Sequence, residues 1–227
     1  MRNLQRGGLL IATALVAVLS AHASTVNCAS ATGVITYGVA NTDSFFCGNV
    51  VFSNFILDAV SGGAGSVTII GADYNTVTGQ VVLNLDPDLV SDQDDLLTYQ
   101  AAAFTGFKIT GLDASIGGDD AAMDERACLL PVPTSGPSAY LCPKGTQLGS
   151  IAIASGDPDM PVFSNPFGYI GPVYVVKDIG TGPGGSESVV NQSFETANDT
   201  PPVPEPASLL LLGGGLFGLG LWKRRKA

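Results

Sequence analysis

Short apolar runs, many of them alternating with polar residues, recur through residues 34–194 and predict a body of β-strands. Alternation with a period of two fits a strand that turns one face to a core. In the run V-V-F-S-N-F-I-L, residues 50–57, bulky side chains fall on both faces, as in a strand inside a sandwich. Strands are predicted at Val34–Val39, Val50–Leu57, Ser66–Gly71, Val77–Leu85, Leu96–Ala103, Phe107–Leu112, Gly149–Ala154, Val173–Ile179 and Val189–Phe194.

Glycine, proline and acidic clusters separate these runs at intervals typical of hairpins. Examples are Gly117-Gly118-Asp119-Asp120 and Asp157-Pro158-Asp159. Gly180–Ser188 is predicted to be a flexible insertion between two strands or the start of a tail. Because no stretch of the body keeps a 3.6-residue apolar period, residues 24–195 are expected to form an all-β domain, an antiparallel, jelly-roll-like β-sandwich.

The first residues differ from the body. Arg2 and Arg6 precede the apolar run of residues 7–19, and Ala21-His22-Ala23 follows it as a cleavage site. This composition predicts a signal peptide at residues 1–23, exported by the Sec machinery and removed by signal peptidase. An apolar run of about thirteen residues is too short to remain as a membrane span.

The chain ends in three consecutive parts. Pro204, Glu205 and Pro206 close a polar, proline-rich spacer at residues 196–206, and the uncharged residues 207–222 follow. This segment is predicted to be a transmembrane helix about 24 Å long. A basic tail at residues 223–227 favours the cytoplasmic side of the membrane. Its four charges are Lys223, Arg224, Arg225 and Lys226.

This ending, V-P-E-P-A-S-L-L-L-L-G-G-G and its basic tail, resembles the PEP-CTERM sorting signal of Gram-negative envelope proteins. The resemblance implies an exosortase, a membrane protease-transferase that recognises Pro204-Glu205-Pro206, removes the apolar tail and releases the body to the cell surface or extracellular matrix. It also implies an association with exopolysaccharide and biofilm. The alternative is an ordinary membrane anchor that is never cut.

Removal of both end segments makes the body strongly acidic. Four Lys and Arg remain against twenty Asp and Glu, a formal charge of −16. Such a surface repels nucleic acid and anionic lipid headgroups and attracts cations. Nucleic acid is therefore excluded as a partner.

The four cysteines suit an oxidising compartment. Three disulfide connectivities exist for four cysteines. The spacing favours two local bridges, Cys28–Cys47 and Cys128–Cys142, each contributing about 3 kcal/mol. The spacings are too wide for C-x-x-C redox or zinc motifs.

The residues needed for common catalytic sites are missing from the predicted mature chain. Its sole histidine, His22, would leave with the signal peptide, and no G-x-S-x-G, P-loop or dinucleotide fingerprint occurs. We therefore expect no enzyme and no cofactor. The remaining catalytic option is a glycoside hydrolase with two carboxylates. The candidate acids are Asp86, Asp88, Asp92, Asp94, Asp95, Asp119, Asp120, Asp124 and Glu125.

One acidic stretch suggests calcium, because hard oxygen ligands at short spacing suit Ca²⁺. Its carboxylates are Asp86, Asp88, Asp92, Asp94 and Asp95, although their spacing is not that of an EF-hand. A solvated loop face is the simpler interpretation. The sequence thus predicts a non-catalytic structural or adhesive surface protein, with a calcium- or carbohydrate-binding module as the alternative.

Overall fold

The structure, a computed structural model, describes residues 28, 33–36, 44–62 and 65–199. The predicted signal peptide lies outside the described residues, as do the sorting motif, the apolar segment 207–222 and the basic tail. Within the described ranges, no helix is both long enough and apolar enough to cross a membrane.

Every named element in the described residues is a β-strand, and all named strand pairs are antiparallel, which confirms the all-β prediction. The strands are β1 (Gly33–Thr36), β2 (Phe45–Cys47), β3 (Val50–Ser61), β4 (Ser66–Asn75), β5 (Gln80–Asp86), β6 (Asp94–Ala103), β7 (Phe107–Cys128), β8 (Gln147–Ala154), β9 (Met160–Tyr169) and β10 (Val173–Asn198).

Two long strands, β7 and β10, form the spine of a ten-stranded sheet. On the edge away from β7, residues 173–180 of β10 pair with β6 and residues 190–195 pair with β5. The other edge of β7 pairs with β8 and β9. The spine therefore belongs to both halves of the sheet.

The two halves pack face to face over one apolar core. The ring of Phe52, on the β6 side, lies 5.2 Å from the ring of Phe194, on the β5 side, and Tyr99 of β6 also contacts Phe194. Burial of each such aromatic side chain contributes about 1.5–3 kcal/mol. The two layers are thus halves of one sheet, and the jelly-roll strand order stays a prediction.

The predicted insertion at Gly180–Ser188 is wrong, and so is the predicted turn at residues 117–120. β10 continues through the first segment and bulges there against residues 118–121 of β7. A Cβ atom on Gly118, whose φ is 142°, would lie 2.2 Å from the carbonyl oxygen of Ser186. Glycine in this run therefore permits a close approach of two backbones rather than a free loop.

Other strand boundaries also differ from the prediction. β10 extends to Asn198, which pairs with Phe107, so residues 196–198 belong to the sheet and not to the spacer. β9 was not predicted because Pro161 and Pro166 interrupt its pattern, yet proline is tolerated on a strand that pairs on one side. β5 begins at Gln80 rather than at residue 77, because a turn precedes it.

Two disulfides join the local cysteine pairs. Cys28 and Cys47 have a Cα–Cα distance of 4.5 Å, and Cys128 and Cys142 have one of 5.4 Å. The second bridge holds the loop that follows β7 against the end of that strand. In the same loop, the Tyr140 hydroxyl donates a hydrogen bond to a carboxylate on β3.

Candidate functional site

The loop between β5 and β6, residues 87–93, lies on the bulge of β10. The Glu187 N–H donates to the Leu89 carbonyl at 3.0 Å. The Gly184 N–H donates to Ser91 Oγ at 2.7 Å. Asp92 adopts a left-handed backbone conformation, with φ of 60°, which Asp tolerates better than most residues. The acidic loop is therefore held in place by the strand that it covers.

A cavity of about 900 Å³ beside this loop is lined by six aspartates, and no Lys or Arg lines it. We call it the acidic cavity. The loop supplies one carboxylate, and strands β6, β7 and β10 and the turn after β8 supply the others. The six are Asp92, Asp94, Asp120, Asp124, Asp157 and Asp178. Residues 180–182 of β10, where the bulge begins, also line the cavity.

One of these aspartates, Asp178, has a raised pKa. Burial raises the pKa of Asp178 to about 6, and a hydrogen bond with Asp94 adds to the increase. The charges of Asp94 and Asp124 raise the pKa further, while Arg126 opposes them. Near pH 6 and below, the cavity therefore takes up a proton that an isolated aspartate would release.

The five carboxylates predicted to bind calcium do not form one site. Asp92 and Asp94 line the acidic cavity, whereas Asp95, the next residue along β6, is fully buried. This separation follows from strand geometry, since successive side chains point to opposite faces. Asp86 and Asp88 lie near Glu187 instead, as their effect on its pKa shows. No group of three or more His, Cys, Asp or Glu among the described residues has the arrangement of a metal site.

Glu187 is a buried acid that the sequence did not single out. Its side chain is 4% exposed, and no protein group in the described residues meets hydrogen-bond geometry with either carboxylate oxygen. Burial, then the charge of Asp86, raises its pKa to about 8. The Val189 N–H lowers the pKa, and Asp88 raises it. The G-T-G-P-G-G-S-E-S run resembled a flexible segment, so nothing in it indicated a buried carboxyl.

A second buried pair, Lys177 with Glu125, lies inside the core. The two residues face each other on β10 and β7, and both side chains are 0% exposed. Desolvation lowers the pKa of Lys177 and raises that of Glu125, and their mutual attraction opposes both changes. A sequence signal did exist, since alternation along β10 puts Lys177 on the same face as the buried Val175 and Ile179.

Comparison with known proteins gives one specific result, at the end of the chain. A family model described as the PEP-CTERM protein-sorting motif matches residues 202–226. The chain thus carries the signal of an exported protein that an exosortase sorts at the membrane. No curated protein matches.

Solved structures give only distant similarities. TmCBM61 in complex with beta-1,4-galactotriose is 10% identical, covers 63% of this chain and 88% of its own, and has a TM-score of 0.29. A family two carbohydrate esterase from Cellvibrio japonicus is 8% identical, covers 66% and 37%, and has a TM-score of 0.24. Similarity at this level carries no information on function.

Proposed function

We propose that this chain is an exported, non-catalytic protein of the cell surface or extracellular matrix, with a structural or adhesive role among exopolysaccharide in biofilm. The sorting motif at residues 202–226 carries the proposal. An exosortase engages Pro204-Glu205-Pro206 while the apolar segment holds the chain in the membrane. The basic tail stays on the cytoplasmic side of the membrane.

The body has the properties that such a destination requires. Two disulfides stabilise it in an oxidising environment. A formal charge of −16 for residues 24–206 keeps the domain soluble and separated from anionic lipid. The absence of a histidine after His22 supports a role without acid–base catalysis by imidazole.

Replacement of Pro204, Glu205 and Pro206 by alanine tests the proposal. We expect the variant to remain in the inner membrane, whereas the wild-type protein reaches the surface or medium. The matched control replaces Asp199, Thr200 and Pro201, which precede the matched motif, and should be released normally. Release of the motif variant at the wild-type rate would refute sorting through this signal.

The acidic cavity favours a second function, calcium binding, within the class of calcium- or carbohydrate-binding modules. Because no three described carboxylates already form a ligand set, the ion would have to draw them together. A ligand that binds only the folded state adds about 2.7 kcal/mol to the free energy of unfolding when its concentration is about a hundred times its Kd.

Thermal unfolding with and without Ca²⁺ tests this second function. We expect the melting temperature to rise with Ca²⁺ and the rise to disappear in Asp94→Asn with Asp178→Asn. The control pair, Asp86→Asn with Asp88→Asn, lies outside the cavity and should keep the rise. An unchanged melting temperature of the wild-type protein in millimolar Ca²⁺ would eliminate calcium as the ligand.

A further inference from the structure

The core of the sheet contains an amine and a carboxyl in direct contact and away from solvent. Lys177 Nζ contacts Glu125 Oε2, and its other polar neighbour is Met123 Sδ at 3.6 Å. The second carboxylate oxygen, Oε1, meets hydrogen-bond geometry with no group among the described residues, although the Gln192 side chain lies near enough to lower the pKa of Glu125. Leu97 of β6 faces Lys177 in the register and is also fully buried. An ion pair in such a place gains little stability, because desolvation offsets most of the attraction.

We propose that Lys177 and Glu125 condense into an intramolecular amide that covalently joins β10 to β7. The lone pair of the Lys177 amine attacks Cδ of the protonated Glu125 carboxyl, and the C–N bond forms. The C–OH bond of the carboxyl then breaks, and the hydroxyl leaves with one amine proton as water. Amine and acid give amide and water, so the step needs no oxidant, reductant or second substrate.

The surroundings favour the reactive protonation states. Burial lowers the pKa of Lys177 and raises that of Glu125, which favours transfer of a proton from the ammonium to the carboxylate. That transfer would leave a neutral amine, which is nucleophilic, beside a neutral acid, which can be attacked. The amide has no charge, so its formation also removes the cost of keeping two ions in the core.

The geometry lowers the barrier to this step. Facing positions on paired strands hold the two groups in contact, and such pre-orientation replaces a bimolecular encounter by a unimolecular step. Burial, then the charge of Glu125, raises the pKa of Tyr99, so this buried hydroxyl keeps its proton and adds no negative charge to the core.

The cross-link would be independent of the sorting signal and of the disulfides. It would close the chain between residues 52 positions apart, and reducing agents would leave it intact. A covalent bond between the two spine strands suits a protein that must resist unfolding outside the cell.

Mass spectrometry of the full chain, folded and then reduced, tests the proposal. We expect the wild-type protein to be lighter than its sequence by one water. In a trypsin digest, cleavage after Lys177 should be lost, and a branched peptide should join Lys177 to Glu125. The variant Lys177→Met should regain the mass of the water, whereas Lys144→Met, at an exposed lysine, should keep the deficit.

The wild-type protein alone can overturn the proposal, so the result does not depend on whether a variant folds. A full sequence mass in a sample that unfolds cooperatively, together with normal cleavage after Lys177, would show an ordinary buried ion pair. A branched peptide that joins Lys177 to Asp95 would also overturn the assignment, because the acyl group would then come from β6.

Discussion

The free energy of unfolding of the wild-type protein is expected to fall between pH 6.5 and 8 as Glu187 ionises, and Glu187→Gln should abolish this fall. Glu187 is 4% exposed, and burial together with Asp86 and Asp88 raises its pKa from 4.5 to about 8, against the effect of the Val189 N–H. Glutamine keeps the shape of the side chain and removes its ionisation.

The direction follows from the difference between the folded and unfolded states. A raised pKa means that the folded protein keeps its proton at pH values where the unfolded chain has released it. The contribution of Glu187 to the free energy of unfolding is therefore highest below pH 4.5 and falls as the pH rises to about 8. One pH unit in this window changes it by at most about 1.4 kcal/mol. Solvent screening near the loop reduces the effect, so we expect about 1–2 kcal/mol between pH 6.5 and 8.

Urea unfolding at the two pH values measures this effect directly. The lower limit stays above the pKa of Asp178, about 6, and the chain's only histidine lies in the predicted signal peptide. The wild-type protein and the control Glu195→Gln, an exposed acid on the same strand, should lose similar stability. Glu187→Gln should lose little and exceed the wild-type protein at pH 8. Equal pH dependence in Glu187→Gln and wild type would show that Glu187 does not ionise in this window.

Three further changes test the fold. Phe194→Ala should lower the free energy of unfolding by about 3–5 kcal/mol, because the ring is fully buried between the two layers. Phe167→Ala, at a side chain that is 83% exposed, is its control, and equal losses in urea unfolding would contradict the packing. Gly118→Ala should lower the free energy of unfolding by about 2 kcal/mol or more, because the new Cβ atom clashes with the backbone of β10. Its control is Gly171→Ala, whose Cβ atom has no neighbour within 4 Å. Equal melting temperatures of the two variants would contradict the close approach at the bulge. Removal of the disulfide that closes residues 128–142 should cost about 3 kcal/mol, and peptide mapping that shows another pairing would exclude this bridge.

The strands with regular alternation were predictable from the sequence. In β5, Val81, Leu83 and Leu85 are buried and the residues between them are not, as a period of two requires. The same rule puts Lys177 in the core, on the face of β10 that carries Val175 and Ile179. Alternation therefore locates a buried amine but not the acid that contacts it, since that acid lies 52 residues away.

Long-range register was not predictable, and the acidic cavity depends on it. Two segments with the composition of turns pair with each other as bulged strands, namely Gly117–Asp120 and Gly180–Ser188. Their pairing brings Asp120 and Asp124 of β7 to Asp178 of β10. By contrast, acids that are adjacent in the sequence, such as Asp94 and Asp95, suggested a common site, but they point to opposite faces of their strand.

Intact mass spectrometry of the protein recovered from the cell surface and medium is the most direct test of export and sorting. We expect a chain that begins at Ser24 and ends near Pro206, with two disulfides, and any added mass at its C-terminal end would identify the attached group. A chain that still extends through Ala227 would indicate a membrane anchor that is never cut.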